Sequence, residues 1–161
     1  MLQHDVLKIL EQDARTNPEK IAEMTGASIE EVKAVIAQAE SDGVIVRYKT
    51  VINWEKLGDE RVEAFIEVKI APQRDVGFDA IAERIYKFGE ARSVYLMSGT
   101  YDLAVLVSGK TMHQVASFVS QKLAPIESVQ GTATHFMLKR YKEDGEILAD
   151  TEKANRQQVV L

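Results

Sequence analysis

Residues 25–43 read TGASIEEVKAVIAQAESDG and hold the signals of a complete short helix with its two boundaries. Gly26 suits a left-handed C-cap for whatever helix precedes it. Ser28 begins an S-x-x-E capping box that Glu31 completes. Ile29, Val32, Val35, Ile36 and Ala39 then repeat at helical spacing on an inner side, and Asp42-Gly43 stops the run. Upstream, Val6, Leu7, Ile9 and Leu10 give an amphipathic helix over 3–15. TNPEK follows, with Thr16 or Asn17 as cap, Pro18 at the first helical position and a short helix over about 18–24. Three short helices with a glycine turn between the second and third make a helix-turn-helix. The next segment, VIVRYKTVIN (44–53), is rich in β-branched residues and is expected to form a strand or hairpin, the wing of a winged helix.

This reading meets an electrostatic objection. The chain has 161 residues and a net charge of −5. Residues 1–60 carry seven basic and twelve acidic side chains, whereas the remainder carries thirteen of each. An acidic amino-terminal part opposes non-specific attraction to phosphate. Early acids on the third helix have a local explanation, since Glu30 and Glu31 favour the helix dipole and Glu31 fits the capping box. A Glu can also accept from cytosine N4. The absence of cysteine excludes disulfides, thiolate metal sites and cysteine nucleophiles. The three histidines have no ligand spacing, so neither a metal nor a cofactor is expected. With no signal-peptide pattern and no membrane-length apolar run, a cytoplasmic location is expected.

A second unit begins at Val62. VEAFIEVKI alternates, with Val62, Ala64, Ile66, Val68 and Ile70 on one face and Glu63, Phe65, Glu67 and Lys69 on the other. A helix over 76–88 should turn Phe78, Ile81, Ala82, Ile85 and Phe88 inward. SVYLM, the turn SGTYD (98–102) and LAVLV come next. A helix over 111–124 should bury Met112, Val115, Ala116, Val119 and Leu123, and a last strand spans about 129–141. The order strand, helix, strand, strand, helix, strand is the ferredoxin-like βαββαβ arrangement, so the fold class is α+β. Helices on one face leave the other sheet face bare, and Phe65 with the two-sided apolar run Leu103–Val107 suggests cover by another subunit. The expected organisation is a winged helix-turn-helix at 1–50, a linking strand and connector at 51–61 with Trp54 as anchor, a sensing and oligomerisation domain at 62–141, and a charged tail at 142–161.

Taken together, PEKIAEMTGASIEEVKAVIAQAESDGVIVRYKTVIN and VYLMSGTYDLAVLV set between two helices resemble the Lrp/AsnC, or feast/famine, transcriptional regulators over nearly the whole chain. The second half is similar to that family's ligand-sensing RAM domain. The resemblance implies a regulator that binds double-stranded DNA as dimers, often within octamers, and senses amino acids or related metabolites at subunit interfaces. Members commonly carry arginine or lysine near the middle of the third helix. Ala34, Val35, Ala37 and Gln38 stand there in this chain, so arginine-to-guanine readout is largely missing from it.

The candidate DNA contacts are Ser28, Lys33 and Gln38 on the helix, with Arg47 and Lys49 on one face of the wing. Their other reading is as solvated surface charges and a cap. SGTYD is open between a plain hairpin turn and an effector site. On the second reading, carried by the resemblance, Gly99, Thr100, Tyr101 and Asp102 receive an amino acid's charged groups, and Thr132 and Thr134 add hydroxyls from a neighbouring subunit. No nucleophile–base pair or phosphate loop points to an enzyme. The competing function is an oligomeric ligand-binding interaction protein with weak or lost DNA binding.

Overall fold

The computed structural model describes residues 1–59, 61–71 and 77–149. The chain divides into two compact units, Met1–Val51 and Ile52–Leu161.

The first unit holds α1 (Leu2–Gln12), α2 (Pro18–Thr25) and α3 (Ile29–Ser41). Asn17 caps α2 by accepting from the Lys20 backbone N at 2.8 Å, with Pro18 at the first position. Gly26 closes α2 at φ 72°, a conformation that a Cβ disfavours and that reverses the chain into α3. Val6, Ile21, Ala22 and Val32 are buried together, with Leu10, Ile29, Val35 and Ile36 packed against them. The helix-turn-helix expected from the sequence is present, with α1 ending three residues early.

The wing differs from expectation. Residues 44–53 contain no strand. A strand is satisfied only by a neighbour that takes its N–H and C=O groups, and no described strand of this chain forms a ladder with the segment. Its start is instead tied to α3: Ile45 N donates to Ala39 O at 2.9 Å, and Tyr48 Oη donates to Glu40 Oε1 at 2.8 Å.

The second unit contains β1 (Val62–Ile70), α4 (Phe78–Tyr86), β2 (Ala91–Leu96), β3 (Leu103–Gly109), α5 (Met112–Phe118) and β4 (Val129–Phe136). The strands form one antiparallel sheet in the order β2-β3-β1-β4. This is the ferredoxin-like order, with β1 and β3 central. Ala64, Ile66, Val68 and Ile70 alternate into the core and meet Ile81 and Ile85 of α4 and Val115 and Phe118 of α5.

Several details depart from the sequence reading. The first residue of the helix expected over 76–88 lies outside the described residues, and Phe78 is exposed at the open end of α4 rather than inward. Met112 is likewise exposed, and Ala116 points outward. Phe118 is buried in their place and meets the Phe88 ring edge-on at 5.7 Å. After Phe118 the helix widens into a π turn, Val119–Leu123, where Ala124 N donates to Val119 O at 2.8 Å. The extra residue shifts the inward face and brings Leu123 into the core. The last strand stops at Phe136. The start of the expected tail folds into a small hairpin, β5 (Lys142–Glu143) and β6 (Glu146–Ile147), turning at Asp144-Gly145. The rest of that tail, from 150 onward, lies outside the described residues. Trp54 starts a 3-10 turn, Trp54–Leu57, and carries the Arg61 guanidinium over its ring at 3.8 Å.

Candidate functional site

The capping box on α3 is complete. Ser28 Oγ accepts from Glu31 N at 3.2 Å, while Glu31 Oε2 accepts from Ser28 N and from Ser28 Oγ, both at 2.8 Å. These bonds to Ser28, the backbone one foremost, hold the Glu31 carboxyl below its ordinary value of 4.5. Val32 and Ala39, both fully buried, fix the inner side of α3. At 3.6 residues per turn the opposite side is centred on Glu30, Ala34, Ala37 and Ser41, which share roughly 60° of arc. Lys33 and Gln38 flank them, and all six are exposed.

The residues named from the sequence therefore have different surroundings. Lys33 lies on the outward side. Gln38 donates through Nε2 to Asp42 Oδ1 at 2.8 Å. Ser28 sits at the helix entrance, its hydroxyl already in the cap. Arg47 and Lys49 follow α3 in the segment that forms no strand and are exposed, with Tyr48 between them bonded to Glu40. The Tyr48 phenol is pushed above its ordinary value, first by desolvation and then by the Glu40 carboxylate that accepts its proton's hydrogen bond. Ala34 and Ala37, which stand where members commonly carry arginine or lysine, thus form the centre of the outward face.

In the second unit, the SGTYD turn is part of the sheet's wiring. Asp102 N donates to Val68 O at 3.0 Å, and Asp102 O accepts from Met97 N at 2.8 Å. The Asp102 carboxylate accepts from Ile70 N through Oδ2 at 2.7 Å. Gly99 has φ 156°, where a side chain is strained. Tyr101 packs edge-on against Phe65 with ring centroids 6.1 Å apart. Thr132 and Thr134 lie elsewhere in the chain's own sheet. They stand opposite Val68 and Ile66, so they share the helix-covered face, while Phe65 stands opposite His135 and Leu106 on the open face. One chain thus brings Gly99, Thr100, Tyr101 and Asp102 together but does not add the two threonines to the Phe65–Tyr101 side.

The open face also carries Tyr95 and Met97, and His135 Nε2 lies 3.3 Å from Glu67 Oε1. Elsewhere in this unit, a cleft of about 310 Å³ is lined by Trp54, Arg61, Glu63, Met137, Arg140 and Leu148 among others. Arg140 is ion-paired there with Glu63 and, at 3.2 Å, with Glu143. None of the effector candidates lines it.

Comparison with known proteins places these features in a family. Residues 63–147 match the Lrp/AsnC ligand binding domain, and residues 2–46 match a winged helix-turn-helix DNA-binding domain. The HTH-type transcriptional regulator YugG of Bacillus subtilis is 50% identical over 144 residues, which cover 89% of this chain and 87% of that protein. The structure of Escherichia coli AsnC superposes with a TM-score of 0.68 at 20% identity, covering 88% of this chain and 93% of the other. A Neisseria meningitidis transcriptional regulator, solved as a complex with L-Met, superposes with a TM-score of 0.70 at 22% identity, covering 88% and 91%. The chain belongs to the Lrp/AsnC family of transcriptional regulators. It is a DNA-binding regulator with a ligand-binding domain, and its relatives are regulators rather than enzymes.

Proposed function

We propose that the chain acts in the cytoplasm as a homodimer, or as a larger homo-oligomer such as an octamer, whose sheet domains sense an amino acid or related metabolite and thereby modulate DNA binding by α3. The observation that carries the assembly is the open sheet face. Tyr95, Met97, Phe65 and Leu106 present apolar surface on the side away from the helices. A second copy of the same face offers matching chemistry and the two-fold symmetry commonest in such assemblies. The L-Met held by the Neisseria regulator supports the amino-acid class of effector.

On this reading Gly99, Thr100, Tyr101 and Asp102 form one side of the effector site, and Thr132 and Thr134 of another subunit complete it. Asp102 keeps Oδ2 on Ile70 and has Oδ1 to offer an ammonium group. Lys33, Arg47 and Lys49 contact phosphate, and Ser28 and Gln38 lie at the edge of the reading face. Three cations per subunit make modest affinity per dimer, which multivalent assembly raises. An interaction protein with lost DNA binding is the second reading, motivated by the acidic first unit.

The test is binding to the protein's own upstream region against a scrambled duplex, at two salt concentrations, with and without a pool of amino acids. Selective binding that weakens with salt is expected, with a change on adding the pool. Arg47→Ala is expected to weaken binding about equally for all sequences and to flatten the salt dependence by about one unit of slope per subunit. A folded oligomer with no selective binding leaves the interaction-protein reading in its place.

A further inference from the structure

Two neighbouring glutamates begin α3, and the structure gives them different roles. Glu31 is consumed by the capping box, accepting from Ser28 N and Oγ at 2.8 Å. Glu30 has no hydrogen-bond or ion-pair partner among the described residues and lies at the centre of the outward face, with Ala34 one turn beyond it and Ala37 and Ser41 after that. A favourable helix dipole explains an acid anywhere in the first turn. It does not explain an acid at the middle of the surface that has to meet a polyanion.

We infer that Glu30 reads a base: its carboxylate accepts a hydrogen bond from the N4 amino group of a cytosine in the major groove, which makes one C·G pair in each half-site a determinant of specificity. This rests on the proposal that α3 lies against duplex DNA. The groove offers a carboxylate two kinds of amino donor, cytosine N4 and adenine N6. Adenine sets its N7 acceptor beside N6, which repels a second carboxylate oxygen and suits an amide better. Cytosine has no such neighbouring acceptor on its own edge. Position also favours the contact, because the first residues of a recognition helix are those that reach base edges. Ala34 and Ala37 keep the adjoining surface low, so the helix backbone approaches closely enough for a glutamate to reach. A carboxylate left without a donor in the groove is desolvated and repelled by phosphate, so sequences lacking the cytosine are rejected as well as bound less well.

The experiment is selection from a randomised duplex library with the full chain and with Glu30→Gln and Glu30→Ala, followed by binding to the selected duplex with each base pair exchanged in turn. Thermal melting of each variant serves as a folding control, since an exposed first-turn acid contributes little to the fold. The unsubstituted protein is expected to lose roughly 5- to 150-fold in affinity when one particular C·G pair is exchanged. Glu30→Gln is expected to move the preference at that pair towards adenine, and Glu30→Ala to abolish it while other positions keep theirs. Selective binding with the same positional profile in all three proteins overturns the role of Glu30 and leaves the regulator reading standing. No selective binding by the unsubstituted protein overturns both.

Discussion

Ser28 and Glu31 show how much one residue type depends on its place. The S-x-x-E pattern is legible in the sequence because both of its bonds are local and its geometry follows from helix entry alone. The sequence does not distinguish Glu30 from Glu31 by charge or propensity. The S-x-x-E spacing assigns Glu31 to the cap, and where Glu30 points follows from which side Val32 and Ala39 bury. The cap also sets a pH dependence. The Glu31 carboxyl titrates lower in the folded chain than its ordinary 4.5, so the stability it adds is complete above that value and is lost as pH falls through the lowered one. Ser28→Ala removes the two bonds of the hydroxyl, leaves the backbone N–H of residue 28 on Glu31, and is expected to destabilise the first unit by about 1 kcal/mol. Melting curves from neutral to acid pH check this: the gap between the two proteins should narrow as pH drops below the ordinary carboxylate range.

Among elements, agreement with the sequence follows the range of the interactions. The two helices around Gly26, and β1 with its strict alternation, were readable because period and punctuation coincide there. The 44–53 segment was not. Its β-branched composition describes a backbone suited to a strand but contains no information on where a partner is. The helix after Thr111 is present, but the sequence reading sets its inward face at the wrong angle. Val115 and Phe118 lie three residues apart on one regular helical face, and taking Met112 and Ala116 as inward rotates that face away from Phe118; the π turn begins only after Phe118 and affects Leu123 alone. Phe118 is buried to 2% exposure against Phe88, which makes it a core residue of the second unit. Phe118→Ala is expected to cost about 3–5 kcal/mol, seen as a lower denaturation midpoint for the second unit, whereas Met112→Ala at its exposed position should stay within about 0.5 kcal/mol.

For the whole molecule, the two cores are built from separate residue sets, Val6 to Val32 in one unit and Ala64 to Leu123 in the other. The sequence located the bare sheet face through Phe65 and the two-sided apolar run Leu103–Val107, which holds Leu106; Tyr95 joins it only through its pairing with Ala104. Leu106→Glu places a charge in that face without entering the helix-side core. Sedimentation is expected to show a folded monomer where the unsubstituted chain assembles. An assembly that survives this change would remove the open face as its interface. The outward face of α3 is also free to change over descent. Glu30, Lys33, Ala34, Ala37, Gln38 and Ser41 touch neither core and none completes the cap, so substitutions among them leave folding nearly untouched. If α3 reads DNA as proposed, a duplicated copy of such a gene can drift to a new set of target promoters, a codon at a time, while inheriting its ligand-binding domain intact.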